Sequence, residues 1–271
     1  PEELNVFRTN ASEPEIHSLH QVQNSDGSEK ILRGTYNWAV ADGHTVQFGA
    51  EAALNSLDQL SEQFEESARV LVPVELFNSD STVKETRLET FASYSWQISP
   101  RLYAEVAVDT EFSRLKQEGS DVSTSRAFFF VKPRLDVRYK LDGRTQLRAR
   151  VLHDISQLDF SEFVSFVRSD IDDLGEIQAG NPELVPEKTW TVEATVERRL
   201  GDDLGTASLR GFYKHISDVI DQTLIYPDDS DISGTGNIGS GWVYGAELTA
   251  GLRLKWLGLS GASIDVSGTV Q

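Results

Sequence analysis

Three carboxylates stand where paired acids could act together. Glu193 and Glu197 share one face of residues 189–197, and Glu247 holds the like face of a later segment. Two carboxyls flanking a substrate are the machinery of glycoside hydrolysis. Carboxylates set among arginines on a polar wall more often balance charge, and arginines recur on these same faces. The five histidines, His17, His20, His44, His153 and His215, are scattered. His17 and His20 would share a face only on a helix, and the pattern around them is not helical, so no metal site is expected. No nucleophile motif, phosphate-cradling loop or nucleic-acid patch is present. The chemistry to expect is binding, with no enzyme activity, no catalytic residue and no cofactor.

Charge and composition narrow the classes. The chain has 271 residues, a net charge of −18, no cysteine and no methionine. So acidic a chain does not bind nucleic acid nonspecifically. Disulfide and thiolate chemistry are excluded. Asp170, Asp172, Asp173 and Glu176 form one acidic cluster, and Asp228, Asp229 and Asp231 another; both lack calcium-loop spacing and read as solvated loops. No apolar run reaches the roughly 20 residues of a transmembrane helix, a test to which membrane β-barrels are blind. With no starting methionine and no basic-then-apolar leader, the sequence reads as part of something longer.

The elements that position these groups are strands. In residues 189–197, Trp190, Val192, Ala194 and Val196 fall on one side. Thr189, Thr191, Glu193, Thr195 and Glu197 fall on the other, a period of two. The design recurs over 30–41, 45–54, 87–98, 102–108, 128–139, 146–152, 207–214, 242–254 and 264–270. Residues 1–28 are a weakly patterned lead-in, with a strand expected over 15–23. Asp42-Gly43 is a strong hairpin signal. Residues 42–43, 99–100, 141–143, 201–204 and 255–258 form short turns, whereas 55–82, 156–187 and 217–240 are expected to be long loops. Within the first of these, 68–77 should lie outside the wall. Phe160, Phe163 and Phe166 suggest a short amphipathic turn packed within the second loop.

Three properties select the architecture. The strands are long: residues 242–254 exceed the mean soluble strand of about 5–6 residues and suit a tilted bilayer crossing. Their polar faces are charged, through Arg134, Arg138, Arg148, Arg150, Glu193 and Glu247, which are the expected lumen-facing residues. Short turns alternate with long loops, as at the two rims of an outer-membrane barrel. Tyr36, Trp38, Tyr94, Trp96, Tyr139, Trp190 and Trp242 sit near strand ends on the apolar face, where a membrane interface favours them. The fold expected is all-β: an antiparallel up-and-down transmembrane β-barrel over 29–271, with about ten or eleven strands of a larger barrel. A passive porin-like barrel and a soluble glycan-binding β protein share parts of this pattern.

Asn181-Pro182-Glu183-Leu184-Val185-Pro186-Glu187 resembles the NPxLxPE signature of TonB-dependent outer-membrane receptors, which precedes a barrel strand in that family. Phe48-Gly49-Ala50-Glu51, Tyr244-Gly245-Ala246-Glu247 and Gly236-Asn237-Ile238-Gly239 are similar to recurring patterns of those barrels. The resemblance implies a barrel of about 22 strands in the bacterial outer membrane, filled by a plug. It implies import of a scarce ligand of the siderophore, cobalamin or glycan class. The implied partners are outer-membrane lipid, that ligand, and TonB acting through a plug domain absent from this chain. An interior piece of such a barrel would expose two strand edges, through which copies could self-associate.

Overall fold

An alternating sequence leaves every second backbone edge looking for a neighbouring strand, and here the strands find one another in chain order. The structure is a computed structural model that describes residues 2–10, 13–67, 70–74, 79–120, 123–163, 166–167, 177–201, 204–224, 232–259 and 261–271. Its strands are β1 (Glu2–Asn10), β2 (Glu13–Ala41), β3 (His44–Ser67), β4 (Val70–Val74), β5 (Asp80–Gln97), β6 (Leu102–Gly119), β7 (Ser123–Lys140) and β8 (Thr145–Ile155). They continue with β9 (Phe166–Val167), β10 (Ile177–Ala179), β11 (Lys188–Leu200), β12 (Gly205–Ser217), β13 (Ile220–Leu224), β14 (Ile232–Asn237), β15 (Ser240–Arg253) and β16 (Ser263–Val270). The main sheet runs β1-β2-β3-β5-β6-β7-β8-β11-β12-β15-β16, and its neighbours are antiparallel throughout. It is an open path, with β1 and β16 at its ends. The chain is therefore all-β, a partial antiparallel barrel wall.

The sheet inverts the usual relation between polarity and burial. Trp242 is 63% exposed, Leu248 52% and Val192 50%, whereas Asp136 on the opposite face is 4% exposed. Soluble monomers rarely expose apolar patches beyond a few hundred Å². A face that carries exposed Leu, Val, Phe and Trp across the strands from β2 to β16 requires an apolar surrounding.

The apolar band has measurable limits. On β5 it runs from Leu88 to Trp96, eight residue steps, or about 26 Å at ~3.3 Å per step. An outer-membrane apolar band is about 25 Å tall. The turn-side rim carries Tyr36, Trp38, Tyr94, Trp96 and Tyr139. The loop-side rim carries a row in which His153 pairs Trp190, Trp190 pairs His215, and His215 pairs Trp242. The His153 and Trp190 rings stack at 4.6 Å, and His44 stacks on Trp96 at 5.7 Å. Three of the five histidines are thus rim residues on the apolar face. His17 and His20 lie on strand β2 and not on a helix.

The loop boundaries differ from those expected. The lead-in 1–28 is mostly strand, β1 and the first part of β2. Residues 55–67 continue β3, and β5 begins at Asp80, so much of 55–82 is paired wall and not loop. The physical reason is that beyond Leu54 the once-apolar parity of β3 reads Ser56, Asp58, Leu60, Glu62. The opposite parity there is also largely polar, with Asn55, Gln59, Ser61 and Gln63 buried, so alternation fades while the backbone ladder continues. Residues 70–74 form β4, which pairs only the end of β3 and lies off the wall path. Within 156–187 and 217–240, β9, β10, β13 and β14 form a second, four-stranded sheet, including one parallel pair between β10 and β14. The acidic clusters at 170–176 and 228–231 lie outside the described residues.

Candidate functional site

Register places the charged residues of neighbouring strands side by side on the polar face. Asp136 of β7 is opposite Arg150 of β8, which is opposite Glu193 of β11; Arg210 of β12 is opposite Glu247 of β15. The side chains close these positions into one ribbon of alternating sign. Arg134 reaches Glu105 at 3.0 Å and Asp136 at 3.5 Å; Arg150 reaches Asp136 at 2.8 Å and Glu193 at 3.7 Å. Arg210 holds Glu193 at 2.6 Å and Glu247 at 3.1 Å. The two carboxylates that might have formed a hydrolytic pair are therefore bridged by one guanidinium.

Arg138 and Arg148 do not join the ribbon. Arg138 lies 5.2 Å over the Tyr103 ring, and Arg148 Nε has no hydrogen-bond partner among the described residues. Sequence reasoning missed Arg210, Glu105 and Asp136 as ribbon members, although all three lie on polar positions. It also missed a second group, in which Lys132 pairs with Glu89 and with Glu111, and Arg33 and Arg87 share Glu51.

At the loop-side end, residues 156–163 and 181–187 fold back across this polar face. Val83 of β5 and Leu115 of β6, both on polar-face positions, pack with Leu158, Phe163 and Leu184. Phe163 and Leu184 are fully buried. Phe160–Phe163 is a 3-10 turn with Phe163 buried, whereas Phe166, the third ring of the expected turn, lies on β9. The wall hydrogen-bonds the loop from below. Gln117 Nε2 donates to the Phe163 carbonyl at 2.8 Å, and Arg126 Nη1 to the Leu184 carbonyl at 2.8 Å.

The Asn181–Glu187 motif supplies the knot. Asn181 Oδ1 accepts the Glu183 N–H at 2.9 Å, closing a local turn, while Asn181 Nδ2 donates to the Thr235 carbonyl. Leu184 is the apolar anchor. Pro186 is buried, and Glu187 Oε1 accepts the Ile220 N–H at 2.7 Å. Asn237, just before β15, answers from the other segment. Its side chain accepts the Val185 N–H and donates to the Val185 and Asp218 carbonyls. The side chains of Asn181 and Glu187 therefore bind backbone, whereas Glu183 is exposed. The motif's polar groups sew residues 181–187 to residues 218–220 and 235–237. The Gly236-Asn237 pair was a visible signal, but its partner was not.

Among the described residues no cluster of histidine, aspartate and glutamate could hold a metal ion. The arrangement offers a charged, hydrogen-bonding wall capped at one end by folded loops, with an apolar exterior.

A family model described as TonB dependent receptor-like, β-barrel, matches residues 5–270. No curated protein matches the sequence. Solved structures share the fold at low identity. The unliganded ferric citrate transporter FecA superposes with a TM-score of 0.64 at 14% identity, covering 98% of this chain and 37% of that one. The copper transporter OprC gives 0.63 at 16%, covering 94% and 37%. The Serratia marcescens hemophore receptor HasR, in complex with HasA and heme, gives 0.62 at 12%, covering 95% and 43%. This chain thus spans about two fifths of the length of each of these structures.

Proposed function

Because this chain belongs to the TonB-dependent receptor β-barrel family, a family of outer-membrane receptors and not of enzymes, we propose that it is part of the wall of an energised importer. In this reading the protein lies in the bacterial outer membrane and takes up a scarce ligand of the siderophore, cobalamin or glycan class. The work is binding and gated passage, with no bond made or broken. TonB acts through a plug domain, and the paired acids and arginines of the polar face line the lumen: Arg134, Arg138, Arg148, Arg150, Glu193 and Glu247, joined by Arg210.

The observation that carries the proposal is the inverted sheet: an ionic ribbon on the sheltered face and an apolar band of bilayer height on the exposed one. The capping of the polar face by 156–187 favours gated import over a permanently open porin. Ligand contacts belong to the loop-side ends of β3 and β5 and to the segments 156–187 and 217–240. The similar structures are named for ferric citrate, copper and heme, which supports a metal-bearing ligand.

The test is uptake by the full-length protein in cells with and without TonB. TonB-dependent accumulation of one radiolabelled ferric chelate, haem or cobalamin supports the proposal. Passive, TonB-independent flux of unrelated small solutes would return the barrel to the porin class. Recovery as a stable monomer without detergent would remove it from the membrane.

A further inference from the structure

Beyond the loop-side edge of the apolar band, the exterior of β2, β3, β5, β6 and β7 is sorted into tiers of charge. The last apolar row, in register across the strands, is Leu32, Ala52, Leu88, Phe112 and Phe129. Two residues further along each strand, the same outward face holds Lys30, Leu54, Thr86, Arg114 and Ala127. The next row is Ser28, Ser56, Lys84, Lys116 and Ser125. The row after that holds Asp26, Asp58 and Glu118, with Thr82 between the last two.

The four cations of the two middle rows are exposed, and they make no ion pair among the described residues. No carboxylate shares those rows. This segregation is unusual in a chain of net charge −18. Lys84 and Lys116 stand directly opposite one another across β5 and β6, a like-charge pair that destabilises a sheet unless an anion lies between. On the polar face of the same strands every lysine and arginine near this level is paired or bonded to the loop, so unpaired cations are not a general habit of this wall.

We infer that Lys30, Lys84, Arg114 and Lys116 form a site for the phosphate groups of a lipid in the leaflet at the loop-side rim. The inference rests on the membrane reading above, because that reading puts acyl chains against Leu88 and Phe112. A phosphorylated headgroup then lies four residues up from Leu88, at Lys84, about 13 Å along a strand that is itself tilted. The serine and threonine hydroxyls of the tier add neutral donors. The carboxylates of the next row, Asp26, Asp58 and Glu118, lie on the same outward face two residues further from the apolar band.

The experiment uses the full-length protein in neutral detergent, with bis-phosphorylated lipid A, dephosphorylated lipid A and inorganic phosphate as probes. Native mass spectrometry counts the bound lipid, and a melting curve follows each probe. Wild type should retain bis-phosphorylated lipid A at least about tenfold more tightly than the dephosphorylated form. K84Q/R114Q/K116Q should erase that preference. The lone substitution Lys116→Gln should leave the melting point unchanged or higher without lipid, and should diminish the gain on adding bis-phosphorylated lipid A. Equal retention of the two lipids, or equal retention by wild type and triple variant, overturns the inference. Inorganic phosphate matching the lipid also overturns it, because the site would then serve a free anion. Failure of the membrane reading is separate: the protein would then stay soluble without detergent and hold neither lipid.

Discussion

The ring of Phe212 occupies the space that a β-carbon on Gly245 would need. The two residues are direct cross-strand partners on β12 and β15. Arg210 lies 5.1 Å over the same ring and pairs with Glu247, two residues beyond the glycine. Gly49 and Phe91 repeat the arrangement on β3 and β5, where Arg33 lies 4.5 Å over Phe91 and pairs with Glu51. The two similar stretches, Phe48-Gly49-Ala50-Glu51 and Tyr244-Gly245-Ala246-Glu247, thus encode one device: a glycine covered by an aromatic ring, an arginine on the ring, and a glutamate on the arginine. An aromatic over a strand glycine replaces the packing that the glycine lacks.

Gly245→Ala should therefore destabilise the sheet by about 1–3 kcal/mol, the usual cost of overpacking, because its β-carbon also meets the Val270 carbonyl oxygen. Phe212→Ala in the same background should recover only the ring clash and not the backbone one. Urea titration of the detergent-folded protein would measure both. An unchanged midpoint for Gly245→Ala would disprove the packing role.

Val108→Arg tests the lipid face. The residue sits on the apolar parity of β6, between Phe112 and the turn-side rim. A charge at mid-depth should cost about 2–4 kcal/mol. Ser208→Arg, on the polar parity of β12, should cost under about 1 kcal/mol by the same titration, because it meets water and carboxylates. Equal costs would mean that the two faces share one environment.

Asn237→Ala removes three hydrogen bonds to Val185 and Asp218 and leaves their backbone groups unsatisfied, each worth about 1 kcal/mol or more. Limited proteolysis should then cut 156–187 faster while the wall strands stay protected. Leu184→Ala should act in the same direction, with a cavity cost of about 2–5 kcal/mol. Protection that is indifferent to both would leave the motif without a stapling role.

Two carboxyls outside the spanning segments should give opposite pH dependences. Burial, with the charges of Asp159 and Glu187 adding, holds the Glu162 carboxyl above its ordinary value. The folded loop therefore binds a proton more tightly than the unfolded one, and its packing strengthens as pH falls through that raised value. Glu162→Gln should flatten the effect, read as amide exchange at Phe163. Asp142 accepts the N–H groups of Arg144 and Thr145, both at 2.7 Å, and these bonds hold its carboxyl below its ordinary value. That turn keeps its full stabilisation above about pH 3.9 and loses it as pH falls through the lowered value. Exchange at Thr145 should rise in acid, and not in Asp142→Asn at neutral pH beyond the loss already present.

Legibility in the sequence followed local physics. Wherever one face of a strand meets an apolar medium and the other a polar one, the alternation reports it, as in Trp190 to Val196 and Trp242 to Leu252. Where β3 and β5 rise beyond the band, both faces are polar and the signal vanishes, so paired strand read as loop. The histidines illustrate the same limit. His153 and His215 flank Trp190 only because three strands come into register.

By itself, then, the sequence determined the wall: the period of two, the charged face opposite the apolar one, and the turn residues that set where each strand reverses. These are nearest-neighbour properties, written into consecutive residues. Only the tertiary structure decided which charges meet, which glycine lies under which ring, and that the Asn181–Glu187 motif closes on Asn237. Those pairings join residues tens of positions apart. They depend on strand register, which backbone hydrogen bonding fixes across the whole sheet at once and which no single segment records.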